Sequence, residues 1–190
     1  MNQTEIYQVL EEKGAVMRGH FRLSSGRHSN LFAQKFRVLE HPGIAHSLGE
    51  HLGEMFDRRF DVVASPAIGA LVLGFCVALS GHARFVFAER VDGEMTFRRG
   101  FRIEPGERVL VVEDVVTTGG SAREVVDLVQ RSGGEVVGVG ALLDRADAAR
   151  SEIGAPLKAL LTLHAESWDP EGCPLCEQGL PLDDPGSRRA

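Results

Sequence analysis

The most constraining feature of the sequence is a short hydrophobic run followed at once by acids, hydroxyls and glycines. Residues 109–112 read Val-Leu-Val-Val and predict a strand that is buried on both faces of a sheet. Glu113 and Asp114 follow where this strand is expected to end. Thr-Thr-Gly-Gly-Ser at 117–121 then leads into a helical pattern over about 122–131. A strand, a turn and a helix in this order are typical of an α/β protein.

The turn at 117–121 has the composition of a phosphate-binding loop. Glycines let the backbone approach an anion closely, and the free N–H groups at a helix start attract it. Thr117, Thr118 and Ser121 add hydroxyl donors. A Walker-type loop and a dinucleotide fingerprint are disfavoured, because the stretch has neither a Lys nor a Gly-x-Gly-x-x-Gly pattern. The alternative is an ordinary core strand with a glycine-rich turn.

The acid pair restricts the ligand of such a loop. Carboxylates beside a phosphate site repel the phosphate unless another group lies between them. The 2′- and 3′-hydroxyls of a ribose would donate to Glu113 and Asp114, and Mg²⁺ would offset their charge. The pattern therefore predicts a site for a sugar that carries a phosphate at one end and a diol on its face.

The rest of the chain alternates between helical and strand patterns, which predicts a mostly parallel sheet flanked by helices. The segment 89–106 is polar and is expected to be irregular. In such sheets ligands bind at the carboxyl ends of the strands, where the small-residue turn at 65–70 forms a second candidate anion site. Helices are expected over about 3–13, from His41-Pro42 onward and over 70–79, and strands within 20–40 and over 61–64, 84–88, 135–143 and 157–163.

Length, charge and hydropathy limit the class of protein further. A chain of 190 residues with 43% hydrophobic residues suits one domain. The net charge of −6 and the lack of a basic arm argue against nucleic acid as the main partner. No apolar run reaches the length of a membrane helix, and the N-terminus lacks the pattern of a signal peptide. We therefore expect a cytoplasmic protein that does not bind membranes.

The three cysteines fall into two groups. Cys76 lies in an apolar helical stretch and is expected in the core. Cys173 and Cys176 form a Cys-Pro-Leu-Cys pair, which is half of a zinc site, a redox pair or neither. Tetrahedral zinc normally needs four ligands, and His164 is a candidate third ligand.

The stretch 109–122 closely resembles the signature of the type I phosphoribosyltransferases, which bind 5-phosphoribosyl 1-diphosphate. The resemblance implies that Glu113 and Asp114 hold the ribose hydroxyls, that 117–121 hold the 5′-phosphate and that the turn at 65–70 contacts the diphosphate. It also implies Asp114 as a catalytic residue. The residues expected to bind phosphoribosyl diphosphate are Ala67, Ile68, Gly69, Glu113, Asp114, Val115, Val116, Thr117, Thr118, Gly119, Gly120 and Ser121.

The segment 19–32 resembles the N-terminal hood of orotate phosphoribosyltransferases through its Phe-x-Leu-x-Ser-Gly-x-x-Ser core. Asp144-Arg145 after an apolar strand also matches that family. The resemblance implies that Arg145 reads the orotate carboxylate, as a bidentate Arg can. Thr117 is expected to assist Arg145, and Phe32 to lie against the pyrimidine ring. It implies a single domain with the type I phosphoribosyltransferase fold, divided into a small hood (about 14–40), a core (about 41–165) and a tail (about 166–190).

The segment 89–99 departs from the mobile loop of that family. Arg90 stands at the position of the first loop Lys and is expected to be the catalytic cation over the diphosphate. Glu89 replaces an Arg, and Arg98 and Arg99 are candidates for the remaining charge. Ser24 and Gly69 stand where some members have Lys.

The resemblance implies transfer of the phosphoribosyl group to orotate, with Mg²⁺ carried by phosphoribosyl diphosphate rather than by protein ligands. It also implies a homodimer in which each loop closes over the partner's site. One alternative is transfer to a purine or another base, which the hood and Arg145 disfavour. The other is a regulator that binds the same ligand as a signal, which the acidic charge and the lack of an added domain disfavour.

Overall fold

The computed structural model describes residues 1–23, 25–145 and 152–185. Its helices are α1 (Gln3–Glu12), α2 (Phe36–Leu39), α3 (Pro42–Glu54), α4 (Leu71–Gly81), α5 (Gly120–Arg131) and α6 (Pro174–Glu177), with a 3₁₀ turn at Pro170–Gly172. Its strands are β1 (Val16–Arg22), β2 (His28–Ala33), β3 (Val62–Pro66), β4 (Arg84–Val91), β5 (Glu94–Phe97), β6 (Arg108–Val116), β7 (Glu135–Asp144), β8 (Leu157–Thr162) and β9 (Ser167–Trp168).

The larger sheet has the strand order β5-β4-β3-β6-β7-β8, and every pairing except β4–β5 is parallel. Its central strand β6 is buried on both faces, because successive side chains of a strand point to opposite sides. Leu110 and Val112 join one core with α3 and α4, whereas Val109 and Val111 join a second core with α5. The mostly parallel sheet flanked by helices is therefore confirmed.

Helix α5 shows why the sequence folds in this way around β6. Its buried residues Ala122, Val125, Val126 and Val129 recur at helical spacing and face the sheet. Because β6 runs directly into this helix, the connecting turn lies at the carboxyl edge of the sheet. The predicted strand, turn and helix are all confirmed, with α5 beginning at Gly120.

A second, antiparallel sheet of strand order β1-β2-β9 forms the predicted hood. The tail contributes to it on both sides, since β9 pairs with β2 and Asp183 forms a bridge to Phe21 of β1. The C-terminal tail is thus joined to the hood by backbone hydrogen bonds. Within the described ranges, no helix has both the length and the apolar character needed to cross a bilayer.

Two sequence expectations about local structure are wrong. The segment 89–106 was expected to be irregular, but β4 continues to Val91 and turns back into β5. Asp92 and Gly93 both have positive φ, at 49° and 90°, which is the geometry of a tight two-residue hairpin turn. The acid pair was expected after its strand, but Glu113 and Asp114 lie inside β6, which ends at Val116.

Candidate active site

The start of α5 forms an open cradle at the end of β6. Gly119 has φ of 83°, a conformation that disfavours any residue with a Cβ, and as the N-cap residue it has no side chain with which to cap the helix. The first N–H groups of a helix have no acceptor within it, so they are available to an anion. A small pocket at this point is lined by Glu113 and by residues 115–122. The predicted loop at 117–121 therefore lies at the start of a helix and lines a pocket, and its binding of a phosphate stays a prediction.

The acid pair lies beside this cradle and is almost completely removed from water. Glu113 is 7% exposed and Asp114 is 5% exposed. Glu113 Oε1 accepts a hydrogen bond from the backbone N–H of Asp114 at 3.0 Å. Burial, followed by the adjacent charge of Asp114, raises the pKa of Glu113 from its usual value near 4.5 to about 8. Two buried acids in one place are costly unless a donor or cation satisfies them.

Lys35 supplies such a cation and was missed by the sequence analysis. It follows β2 by two residues, and its ammonium group forms an ion pair with Asp114 Oδ2. The hood therefore reaches the acid pair directly. The one sequence signal was rarity, since Lys35 is one of only three lysines in the chain.

The loop after β3 meets the same carboxylate. A Cβ added at Gly69 would meet the ends of the Asp114 and Lys35 side chains, so a larger residue at this position would require this ion pair to shift. The ammonium group of Lys35 thus takes up space that a side chain at position 69 would need. Ala67, Ile68 and Gly69, predicted to bind diphosphate, form the loop between β3 and α4, and of these Gly69 lies beside the acid pair.

The β4–β5 hairpin places its arginines on carboxylates of the same protein. Arg90 forms an ion pair of 2.6 Å with Glu124 of α5. Arg99 makes a two-pronged contact with Glu89, at 2.9 and 3.0 Å. The hydrogen bonds from Arg99, with a smaller effect of Arg98, lower the pKa of Glu89. Glu89, which replaces an Arg of the family's mobile loop, therefore holds Arg99 in place.

The residues predicted to bind the base lie at three places in the fold. Arg145 follows β7, and its backbone N–H donates to the carbonyl of Val116 at 3.0 Å, which puts it beside the cradle. Phe32 lies in β2 of the hood, with its ring 5.7 Å from that of Phe21. Thr117 lines the pocket at the end of β6. Ser24 lies outside the described residues.

The structure confirms the expected position of Cys76, but it does not support the candidate third ligand of the cysteine pair. Cys76 is buried in the core, as predicted. Cys173 and Cys176 lie close to His20 and His28. The candidate third ligand was wrong: His164 is exposed and, within the described part of the chain, lies outside this group.

Comparison with known proteins shows the protein family to which the chain belongs. Residues 38–169 match the model of the family described as "Phosphoribosyl transferase domain". A crystal structure of orotate phosphoribosyltransferase from Aeropyrum pernix superposes with a TM-score of 0.71 at 28% identity, over 83% of this chain and 93% of that one. The chain therefore belongs to the phosphoribosyltransferase family, and its fold is the type I fold of those enzymes.

Proteins related in sequence show which phosphoribosyltransferases this chain resembles most. A protein named orotate phosphoribosyltransferase from Pelotomaculum thermopropionicum is 49% identical over 190 residues, which covers both chains completely. One of the same name from Desulforamulus reducens is 47% identical over all of this chain and 99% of its own length. The chain belongs to the orotate phosphoribosyltransferase family, as the hood segment and Asp144-Arg145 predicted.

Proposed function

We propose that the protein transfers the 5-phosphoribosyl group from phosphoribosyl diphosphate to orotate, giving orotidine 5′-phosphate and diphosphate in the synthesis of UMP. The observation that carries the proposal is the buried acid pair at 113–114 beside the uncapped start of α5. That pair suits a ribose diol, and the helix start suits the 5′-phosphate on the same sugar. Family membership supports the same reaction.

Phosphoribosyl diphosphate would lie along the carboxyl edge of the sheet. The backbone of 117–121 would hold the 5′-phosphate, and the carboxylates of Glu113 and Asp114 would accept hydrogen bonds from the ribose hydroxyls. For this to occur, Lys35 must leave Asp114 or share it with the sugar. Its displaced ammonium group would then be available to the diphosphate. The turn of Ala67, Ile68 and Gly69 would contact the diphosphate from β3.

Orotate would enter beside the end of β7. The guanidinium of Arg145 would bind its carboxylate through two parallel hydrogen bonds, with Thr117 and the Phe32 ring completing the base site. The N1–C1′ bond forms as the bond from C1′ to the diphosphate oxygen breaks; the electron pair leaves with the diphosphate, and the N1 proton of orotate passes to water or to the departing diphosphate. Orotate N1 is already acidic, so the protein contributes mainly position and charge.

Cations are needed over the leaving diphosphate. Arg90 and Arg99 of the β4–β5 hairpin are the candidates, once they exchange Glu124 and Glu89 for the substrate. Mg²⁺ bound to diphosphate and ribose oxygens would supply further charge stabilisation when present. The two buried carboxylates fit such an ion, since Mg²⁺ favours oxygen ligands and one or two carboxylates alongside substrate phosphates.

A homodimer is part of this proposal and is supported by helix α4. Three of its apolar side chains recur at positions 72, 75 and 79 and remain in water: Val72 is 40% exposed, Phe75 55% and Leu79 53%. Contiguous exposed apolar surface of this kind is typical of an interface. Because α4 follows the 67–70 loop directly, a second copy on this face would lie beside the active site. A cytoplasmic location and a lack of nucleic-acid binding remain predictions.

Turnover with a panel of bases tests the proposal. The loss of orotate absorbance would be followed with phosphoribosyl diphosphate and Mg²⁺, with adenine, hypoxanthine and uracil assayed in parallel for nucleotide formation. We expect Mg²⁺-dependent turnover of orotate alone. Turnover of a different base would contradict the choice of acceptor. Tight binding of phosphoribosyl diphosphate without turnover of any base would favour a ligand-sensing regulator.

A further inference from the structure

Four potential metal ligands from opposite ends of the chain converge between the hood and the tail. His20 of β1 and His28 of β2 come from the hood, and Cys173 and Cys176 come from the tail. Their ligand atoms all lie within 4.8 Å of one another. His20, His28 and Cys173 are buried, and only Cys176 is exposed. We call this set the His₂Cys₂ cluster.

The spacing within the His₂Cys₂ cluster matches that of a tetrahedral ion. Zinc bonds of about 2.05 Å to nitrogen and 2.3 Å to sulfur would separate two nitrogens by about 3.3 Å, and a nitrogen from a sulfur by about 3.6 Å. His20 Nε2 and His28 Nδ1 are 3.0 Å apart. Cys173 Sγ lies 3.4 Å from His20 Nε2, and Cys176 Sγ lies 3.7 Å from His20 Nε2 and 3.3 Å from His28 Nδ1.

The second nitrogen of His20 has the partner that a metal-bound histidine requires. His20 Nδ1 lies 3.0 Å from the backbone carbonyl oxygen of Leu180, which can only accept a hydrogen bond. Nδ1 therefore carries the proton, and Nε2 presents a lone pair to the centre of the cluster. A carbonyl that fixes the tautomer in this way is the usual outer partner of a histidine ligand.

Hydrogen bonding alone accounts poorly for this arrangement. The lone pair of His20 Nε2 faces three groups at once: the imidazole of His28 and the sulfurs of Cys173 and Cys176. One lone pair accepts one good hydrogen bond, so the other two groups gain little from their approach. A divalent ion at the centre would be coordinated by all four ligand atoms at once, and it would offset the charge of the two cysteine thiolates.

The fold is built to bring these ligands together. A register shift between Arg18 and Phe21 interrupts the β1–β2 pairing just where His20 lies, and such bulges re-aim side chains. Across the hairpin, Arg22 pairs with His28, so His20 and His28 are diagonal neighbours on one face. In the tail, Cys173 precedes the single turn of α6 and Cys176 lies within it.

We propose that the His₂Cys₂ cluster is a structural zinc site that fastens the C-terminal tail to the hood. Two sulfurs and two nitrogens in a tetrahedron select zinc among the common divalent ions. Four protein ligands leave no open position for substrate, so the ion stabilises and does not catalyse. It would add a further link between segments that already meet through the β2–β9 pairing, through the backbone of Asp183 and through side-chain contacts such as the Arg27–Asp169 ion pair.

Metal content of the untagged protein, purified without chelator or added metal, tests this proposal. We expect about one zinc per chain, bound through two sulfur and two nitrogen ligands in X-ray absorption. Cobalt added to the metal-free protein should give the visible bands of a tetrahedral ion and a thiolate-to-cobalt charge-transfer band. Because the wild-type protein suffices for these measurements, they do not depend on a variant that folds.

Matched variants locate the site. Cys173→Ser and His28→Ala should lose the zinc and the cobalt spectrum, and should expose the amides of 167–183 to hydrogen exchange. Cys76→Ala and His164→Ala, which change a cysteine and a histidine outside the cluster, should retain both. The proposal is overturned if the wild-type protein has neither zinc nor a cobalt spectrum, or if Cys173 and Cys176 form a disulfide. It is equally overturned if His28→Ala binds as much zinc as His164→Ala.

Discussion

Glu113 and Asp114 are adjacent acids that the fold buries next to a place where an anion is expected to bind. Lys35 partly offsets their charge, and it lowers the pKa of Glu113, although burial and Asp114 outweigh that effect. An ion pair therefore holds the acid pair in place, and the proposed ribose would have to replace or share it. Because the ribose would bind at these two acids, its affinity should depend on whether Glu113 is charged.

The protonation of Glu113 should make both the stability of the fold and the affinity for phosphoribosyl diphosphate depend on pH. Since its folded-state pKa of about 8 lies above the usual value near 4.5, the folded protein keeps a proton that the unfolded chain has lost, and stability falls as the pH rises between these values. The Glu113 carboxylate, which we propose accepts hydrogen bonds from the ribose hydroxyls, forms in the folded protein as the pH rises toward 8. Affinity for phosphoribosyl diphosphate, measured by calorimetry, should therefore rise toward pH 8, by at most about tenfold per unit.

Glu113→Gln should remove this part of the pH dependence, while Glu135→Gln should retain it. Glu135 is an exposed residue at the opposite end of β7 and controls for the titration of the ligand itself. A slope that is unchanged in Glu113→Gln would mean that the group that titrates is elsewhere.

Arg145 is the residue on which the choice of base depends. Arg145→Ala should raise the KM for orotate by about 10- to 100-fold, because a charge-assisted contact is worth about 1.5–3 kcal/mol. The KM for phosphoribosyl diphosphate should change little. Steady-state kinetics with each substrate varied in turn measures both, and Arg131→Ala, at the exposed end of α5, is the control. Equal effects on the two substrates would refute the assignment.

At the scale of elements, the turn between β6 and α5 depends on one backbone conformation. Gly119→Ala should lower the free energy of unfolding by about 1–2 kcal/mol, since a Cβ is disfavoured at its φ of 83°. Gly120→Ala is the matched control for stability, because a Cβ there would meet nothing closer than 3.9 Å. Urea denaturation without substrate compares the two variants, and equal losses would contradict the requirement for glycine at 119.

The elements of the sheet were predictable where one local pattern determined them. Residues 109–112 and the apolar spacing at 122, 125, 126 and 129 identify β6 and α5 without knowledge of any neighbour. A strand over 84–88 was predicted, but the end of β4, the turn and β5 were missed because the segment 89–97 is largely polar, although Asp92-Gly93 is a strong turn signal. The extension of β6 through the acid pair depends on β7, which pairs with it as far as Val116.

At the scale of the whole molecule, contacts between distant segments were not predictable. Lys35 reaches Asp114 because the hood folds over the sheet edge, and neither residue has a local pattern that points to the other. The His₂Cys₂ cluster joins residues 153 positions apart, from His20 to Cys173. The sequence analysis found the cysteine pair and chose the wrong histidine, because only the tertiary fold determines which histidines approach the tail.

The exposed apolar face of α4 is the proposed contact between two copies of the chain. Phe75→Arg should place a charge in the exposed apolar face of α4 and shift the protein from dimer to monomer, with most activity lost. Light scattering coupled to size-exclusion chromatography measures the mass. Gln130→Arg, on an exposed position of α5, should leave the dimer intact. A wild-type protein that is monomeric under assay conditions would contradict a shared interface at α4.

If the acid pair of β6 acts in the chemistry, removing the charge of Asp114 must lower turnover while the fold is retained. Orotate-dependent kcat would be measured for Asp114→Asn beside Asp127→Asn, which alters an aspartate on α5 that pairs with Arg123 near the surface. We predict that Asp114→Asn folds but loses about 100-fold or more in kcat, because the ribose is no longer held in position. Asp127→Asn should be close to wild type. A near-normal rate in folded Asp114→Asn would contradict the account.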